Sequence, residues 1–477
     1  MTTATAEGGD KAFFGHPKAL GYLAFTEAWE RFSYYGMVAL LVLYMTKQLL
    51  LPGHVENIVG FDGARWLVEH TYGGGKAMTV VALASGIYGF YSSTVYLTPF
   101  FGGLLADWVL GRTGTVVLGA CLMAAGHFLM AFDASFLAAL ACLMLGSGCL
   151  KGNLATQVGG LYGAGDNRRA DAFQIYYIGI NAGAIFGPPV ASYLGQEIDW
   201  HYGFGAAGVG MLVSLVIYLW GRRYLPPDPP RRRRATAEEK AVRPPMTKRD
   251  FAVLVLLLLL LPVLALSVVG NNQIQNGLLI WADRDVALPV IFGRPIPAGT
   301  LIGVDSVVSV TFIALMVLFW RAWAKRFKEP DELGKIVFGC FAGAAGVLCL
   351  VAGSSLAAAT GGKVAFGWLL AFLILNDIGF ANVVPVGLAF YARAAPAAVA
   401  GSIVGLYYLH LWAGNTLVGW LGGLLDKMPT PQFWLLHAAL VATAGVVFLA
   451  VRFGFGGLLR GEPAKPDFVA ADAGETP

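Results

Sequence analysis

Long apolar runs separated by short polar breaks recur along the whole chain, and the breaks are rich in Gly, Pro and charge. Stretches such as residues 251–270 and 304–320 approach or reach the roughly 20 residues an α-helix needs to cross a hydrocarbon core about 30 Å thick. Taken in order, the runs predict about twelve spanning helices. They lie near residues 18–48, 78–107, 113–132, 134–161, 171–195, 202–222, 250–281, 299–325, 334–357, 365–391, 399–424 and 431–453. Composition agrees: 57% of the 477 residues are hydrophobic and 13% charged, about half the charged share of a water-soluble domain. This excludes a soluble enzyme and predicts an all-α, polytopic membrane protein.

The net charge of +4 is therefore read as a topology signal and not as a nucleic-acid stripe. With the N-terminus inside, the cytoplasmic loops hold Arg112, then Arg168 and Arg169, then Arg321, Lys325, Arg326, Lys328 and Lys335, then Arg393, with Arg452 and Arg460 toward the end. The external loops are nearly neutral, since Arg284 sits between Asp283 and Asp285, and Lys427 follows Asp426. Both termini are expected in the cytoplasm. The polar start, MTTATAEGGDKAFFGHPK, lacks an h-region, so no cleaved signal peptide is expected.

The most basic segment, residues 222–249, holds Pro226, Pro227, Pro229 and Pro230 followed by Arg231, Arg232, Arg233 and Arg234. Pro and charge favour an extended tether, which could also rest on anionic headgroups. It divides the chain into a first six-helix bundle (1–222), a linker (223–249), a second bundle (250–455) and a tail (456–477). Two bundles around a central linker is the plan of major facilitator transporters, whose solute site lies near the midplane between the halves.

Ionisable side chains within a span cost at least about 2.5 kcal/mol each, so they need partners and mark candidate sites. The first span carries Glu27, Glu30 and Arg31 in FTEAWERFSYYGM. Glu27 and Arg31 are i, i+4 neighbours, Tyr35 extends that face, and Glu30 with Tyr34 forms an adjacent stripe. Two carboxylates beside one guanidinium leave an excess negative charge. Either a carboxyl takes up a proton or a cation comes from another helix, for which Lys151 in the fourth span is the candidate. The network could be a permanent tie between helices or a set of bridges that break and reform as a cavity alternates its opening.

The same segment resembles the Glu-x-x-Glu-Arg signature of the proton-dependent oligopeptide transporter family, within the major facilitator superfamily. GGLLADWVLGR is similar to that family's loop between helices two and three, and GSGCLKGNLATQVGGLY with DNRRADAFQIYYIGINAGAIFGP to its helices four and five. VVPVGLAFYARAAP and GLYYLHLWAGNTLVGWLG resemble its helices ten and eleven. The resemblance spans residues 15–425 and is densest in the first half.

The resemblance implies a transporter of the bacterial inner membrane, acting as a monomer, that imports di- and tripeptides with protons by alternating access. It implies proton coupling at Glu27 and Glu30 and a peptide-carboxylate clamp of Arg31 and Lys151. It adds Tyr35, Tyr96, Asn181, Asn272, Gln273, Phe380 and Tyr407 to the substrate-binding positions, and Asp107 and Arg112 as gate residues. The second half departs from the family pattern. Asn272 stands where the family has an acid and Phe380 where it has the Glu that holds the peptide amine, and Val38 replaces a frequent Arg. Asp305 and Asp377 are the carboxylates that could restore the negative end or share the proton coupling. A carrier with altered or lost coupling, or with another small anionic substrate, stays open, as does a transport-derived sensor.

No metal, cofactor or nucleic acid is expected. Cys121, Cys142, Cys149, Cys340 and Cys349 lie in spans without metal-ligand spacing and read as small buried hydrophobes. His127 and His437 read as packed, and His410 as packed or cavity-facing. TYGGGKAM lacks the spacing and the following Ser or Thr of a phosphate loop.

Overall fold

A computed structural model describes residues 12–163, 166–228, 246–396 and 399–459. Its helices are α1 (Lys18–Tyr44), α2 (Phe61–Tyr72), α3 (Val80–Leu105), α4 (Gly111–Leu129), α5 (Phe136–Gly159), α6 (Arg168–Tyr193), α7 (Trp200–Gly221) and α8 (Lys248–Ser267). They continue with α9 (Val269–Asn272), α10 (Gly277–Asp285), α11 (Leu301–Ala324), α12 (Glu332–Thr360), α13 (Phe366–Ala394), α14 (Ala400–Tyr407), α15 (Leu409–Gly422) and α16 (Thr430–Leu459). Residues Arg231, Arg232, Arg233, Arg234 and Arg460 lie outside the described residues.

Each predicted span coincides with one helix or a broken run of helices, because in lipid the backbone must satisfy its own hydrogen bonds locally. Helix starts carry polar caps: Thr79 for α3, Asp199 for α7, Asp331 for α12, and a Thr247–Asp250 capping box for α8. Two expectations change. The seventh span breaks at Val268 and again at Asn276, where an amide-rich run (Asn271, Asn272, Gln273, Gln275, Asn276) interrupts α8, α9 and α10. The eleventh span breaks at Tyr408 between α14 and α15. Helix α2 was not anticipated. Phe61, Val68 and Tyr72 are its buried residues, too few to register as a span, and Val68 packs on Gly86 of α3.

Within the first part of the chain, α1 packs on α6 and α7, and α5 on α3 and α4; within the second, α12 packs on α13 and α16, and α11 on α13. The loops fall at two ends. One end gathers the α6–α7, α10–α11, α12–α13 and α15–α16 connections, joined by the parallel pair β1 (Val286–Ala287) with β4 (Val364–Ala365), beside the antiparallel pair β2 (Val290–Ile291) with β3 (Arg294–Pro295). The other end holds the start of α1 and the basic loops. Lys18 donates to Tyr224 and Arg168 to the Gly15 carbonyl there, and Arg393 pairs with Glu332.

Bonds between the two sets of helices lie toward the first end. Lys47 pairs with Asp283 at 2.7 Å, Tyr88 donates to Gln275 at 3.0 Å, and Ser92 donates to Asn415 at 2.8 Å. Their backbones also touch there: a Cβ placed on Gly89 of α3 would sit 2.5 Å from the Gly419 Cα of α15. Of the cysteines, Cys149 and Cys340 are buried, but Cys121 is exposed on α4, so the buried reading fails for it. The apolar face of a membrane protein's outer helices is satisfied by lipid tails and needs no protein cover.

Candidate functional site

Glu27, Glu30 and Arg31 meet at the middle of α1, where α6 approaches unusually closely. Gly179, Gly183 and Gly187 line one face of α6 at four-residue spacing and lie against the backbone of α1 at Ala24, Ala28 and Phe32. That contact carries Tyr176 of α6 to Glu27. The Tyr176 hydroxyl donates to Glu27 Oε2 at 2.6 Å, while Glu27 Oε1 accepts from Arg31 Nε at 2.7 Å. The same Nε lies 3.0 Å from Glu30 Oε2, and both carboxylates are buried. Neither Glu30 oxygen closes a hydrogen bond of good geometry.

Both acids are thus served through one nitrogen. Among the described residues, none accepts from Arg31 Nη1 or Nη2, the two atoms that form the planar fork suited to an external carboxylate. Lys151 of α5 faces the same cluster without an ion pair among the described residues. Its ammonium lies 4.3 Å from the Tyr34 ring centre and 5.8 Å from that of Tyr96, cation-π contacts that hold a charge while leaving N–H donors available. Tyr35 is part-buried and packs edge-on against Tyr34, and Tyr96 is 37% exposed. Glu27, Glu30, Arg31, Lys151, Tyr35 and Tyr96 are therefore one constellation. Tyr34 and Tyr176 belong to it although no role was foreseen for them; Tyr34 shared the Glu30 stripe, whereas only tertiary packing brings Tyr176 in.

Other expected residues are placed differently. Asn181 is part-buried and donates to the Tyr177 carbonyl one turn earlier. Gln273 departs from the substrate-binding expectation. It is wholly buried, its amide nitrogen faces the Val418 carbonyl and His437, and its oxygen accepts from Gly277, so it is a strut across the break in the seventh span. Tyr407 departs likewise: it is fully buried and its hydroxyl donates to the Val384 carbonyl at 2.6 Å. His410 is enclosed, with Nδ1 on the Tyr407 carbonyl, which removes the cavity-facing option in this conformation.

Asn272 is part-buried with its Nδ2 lacking a partner, and Phe380 lines a small void with Asn271, Asn376 and Val383. Asp305 of α11 and Asp377 of α13 face each other, Asp377 completely enclosed and Asp305 part-buried. Asp107 and Arg112 flank the turn between α3 and α4, both part-buried. Sequence reading did not foresee the contact beside them, where Asp228 accepts from the Thr113 backbone N–H at 3.0 Å and from its hydroxyl at 3.1 Å. Gly111, at φ +76°, admits that carboxylate where a side chain would strike it. In the loop before α6, the side chain and backbone N–H of Arg168 hold the Asp166 carboxyl below the usual carboxylate range.

Among the described residues no group of three or more His, Cys, Asp or Glu side chains has a metal-binding arrangement. Comparison with known proteins matches residues 113–253 to the family model described as POT family. The chain is 27% identical to the peptide transporter YePEPT of Yersinia enterocolitica, over 94% of this chain and 97% of that one. It is 25% identical to a di-/tripeptide transporter of Lactococcus lactis subsp. cremoris, over 93% and 96%. Among solved structures, it is similar to a peptide transporter POT in complex with sulfate (TM-score 0.79, 25% identity, 94% and 97% covered). A mutant POT in complex with alafosfalin is similar at TM-score 0.78 and 26% identity, again over 94% and 97%.

Proposed function

We propose, from the match of residues 113–253 to the POT family model and the likeness to peptide transporters along most of the chain, that this membrane protein is a secondary transporter importing short peptides together with protons. The observation that carries this reading is the division of labour on Arg31. Its Nε holds Glu27 and Glu30, and its terminal nitrogens, with the Lys151 ammonium that has no ion pair among the described residues, remain for the carboxylate of a peptide. Glu27 and Glu30 are the groups whose proton occupancy decides how firmly Arg31 is held. A proton on either carboxyl weakens its grip and frees the guanidinium for solute, so proton and substrate occupancy are linked through one side chain. Tyr35 and Tyr96 line the site, and the solute amine points toward Asp305, the less enclosed of the two acids in the second half.

Bonding between the halves toward the Lys47–Asp283 end supports a conformation closed at that face and opening at the face with the basic loops. By the distribution of Lys and Arg, the open face is cytoplasmic, and the site is reached from the bacterial cytoplasm in this state. The division at the basic linker, the gate role of Asp107 and Arg112, a monomeric state and an inner-membrane location are parts of the same proposal.

A second reading follows from Asn272 and Phe380, which cannot titrate or hold an ammonium strongly: a carrier of small anions or peptides with weakened coupling. Uptake into proteoliposomes with an imposed pH gradient, with and without competing dipeptide, distinguishes the two. Gradient-stimulated uptake that dipeptides suppress is expected; uptake indifferent to the gradient favours the second reading, and no uptake of any solute sinks both.

A further inference from the structure

The contact between α11 and α13 brings two carboxyl groups together with no counter-ion among the described residues. Asp377 is wholly enclosed, and among the described residues neither of its oxygens closes a hydrogen bond of good geometry; the Oδ1 of Asp305, facing it, is also buried without one. From α11, Asp305 and the Ser309 hydroxyl lie within reach of Asp377; no Lys, Arg or His among the described residues, from α6, α12, α14, α8 or α9, acts on either acid. Two ionised carboxylates cannot share an enclosed site without a cation, whereas one proton turns two facing acceptors into a donor and an acceptor. We propose that Asp305 and Asp377 bind a single shared proton, forming a proton site within the second half that is separate from the Glu27, Glu30 and Arg31 cluster.

Asp305 is the part-buried member, so the proton enters and leaves through it, while Asp377 supplies the enclosed acceptor. Release leaves two negative charges on neighbouring helices, which drives them apart or draws in the amine of a solute. The role in transport rests on the proposed function; the presence of the proton does not.

The test is infrared spectroscopy of the purified full-length protein at neutral pH, read in the protonated-carboxyl band before and after H/D exchange. Asp377→Asn leaves the part-exposed Asp305 beside a neutral amide and is expected to remove one carboxyl equivalent from the band. Asp305→Asn leaves Asp377 facing an amide and is expected to shift the band's frequency, which serves if the first variant fails to fold. A band unchanged in both variants overturns the assignment. So does a rise in the wild-type melting temperature that requires sodium chloride over choline chloride and is absent from Asp377→Asn, since the pair would then hold a metal cation. In proteoliposomes, the proton-to-substrate ratio is expected to fall by one in Asp377→Asn. An intact band response in a protein that moves no solute defeats the transport reading and leaves the shared proton standing.

Discussion

Arg31 holds two acids through one nitrogen, and that economy sets the expected behaviour of its variants. Arg31→Lys keeps the charge but loses the fork, so a dipeptide that stabilises the wild type against heat should bind at least about tenfold more weakly, a loss of roughly 1.4 kcal/mol. Lys151→Ala should weaken binding similarly without lowering stability as much, because the ammonium lies on tyrosine faces and has no salt bridge among the described residues to break. Tyr176→Phe removes a 2.6 Å hydrogen bond to a buried carboxylate, worth about 1.5–3 kcal/mol. The expected readout is a change in the pH-gradient dependence of uptake with the dipeptide's stabilising effect retained. A loss of dipeptide binding equal to that of Arg31→Lys would show instead that Tyr176 touches solute. Of these residues, Glu27, Glu30, Arg31 and Lys151 are legible along the chain because charge in an apolar run has no bland explanation. Tyr176 is not, since tyrosine is ordinary in a membrane helix and its partner lies 149 positions away.

At the scale of elements, the α1–α6 contact decides whether the charged cluster exists. A side chain on Gly183 would enter the Ala28 carbonyl and the Phe32 backbone of α1. Gly183→Leu should therefore cost more than the roughly 1–3 kcal/mol typical of overpacking, because backbone and not a movable side chain stands in the way. Melting temperature and monodispersity would show it, and Gly205→Leu, where added atoms meet open space, should leave both nearly unchanged. The broken seventh span is the instructive mismatch with sequence reading. Its apolar content predicted one continuous helix, but five amide side chains between Asn271 and Asn276 compete with the backbone, and Gln273 and Asn276 bridge to the Val418 carbonyl of α15. Such a break is tolerated in a membrane only where protein satisfies the freed groups, and the sequence of that segment alone does not say which neighbour will.

For the whole molecule, the balance in the proposed alternation between open and closed faces would rest on the bonds gathered toward one end. The Lys47–Asp283 pair is part-exposed, so removing it with Lys47→Ala should shift that balance by about 1 kcal/mol or less. The Gly89–Gly419 contact is backbone on backbone and has no slack. Gly89→Leu should block closure of that face, abolishing uptake of labelled dipeptide while the protein remains folded. Uptake at wild-type rate would mean that the two halves do not have to meet at this contact.

What the chain's own order of residues determined is the set of spanning segments, their alternating direction, and the presence of costly charge in α1 and α5. Hydrophobic runs of spanning length have one stable local solution in lipid, an α-helix that satisfies its own backbone, so neighbours are not needed to read them. Only the tertiary structure decided that Gln273 and Tyr407 are struts, that Tyr176 completes the Glu27 cluster, and that Asp305 meets Asp377. A side chain's partner across the bundle depends on helix rotation and on how closely glycines let backbones approach, quantities that hydropathy, the same on every side of a membrane helix, does not carry.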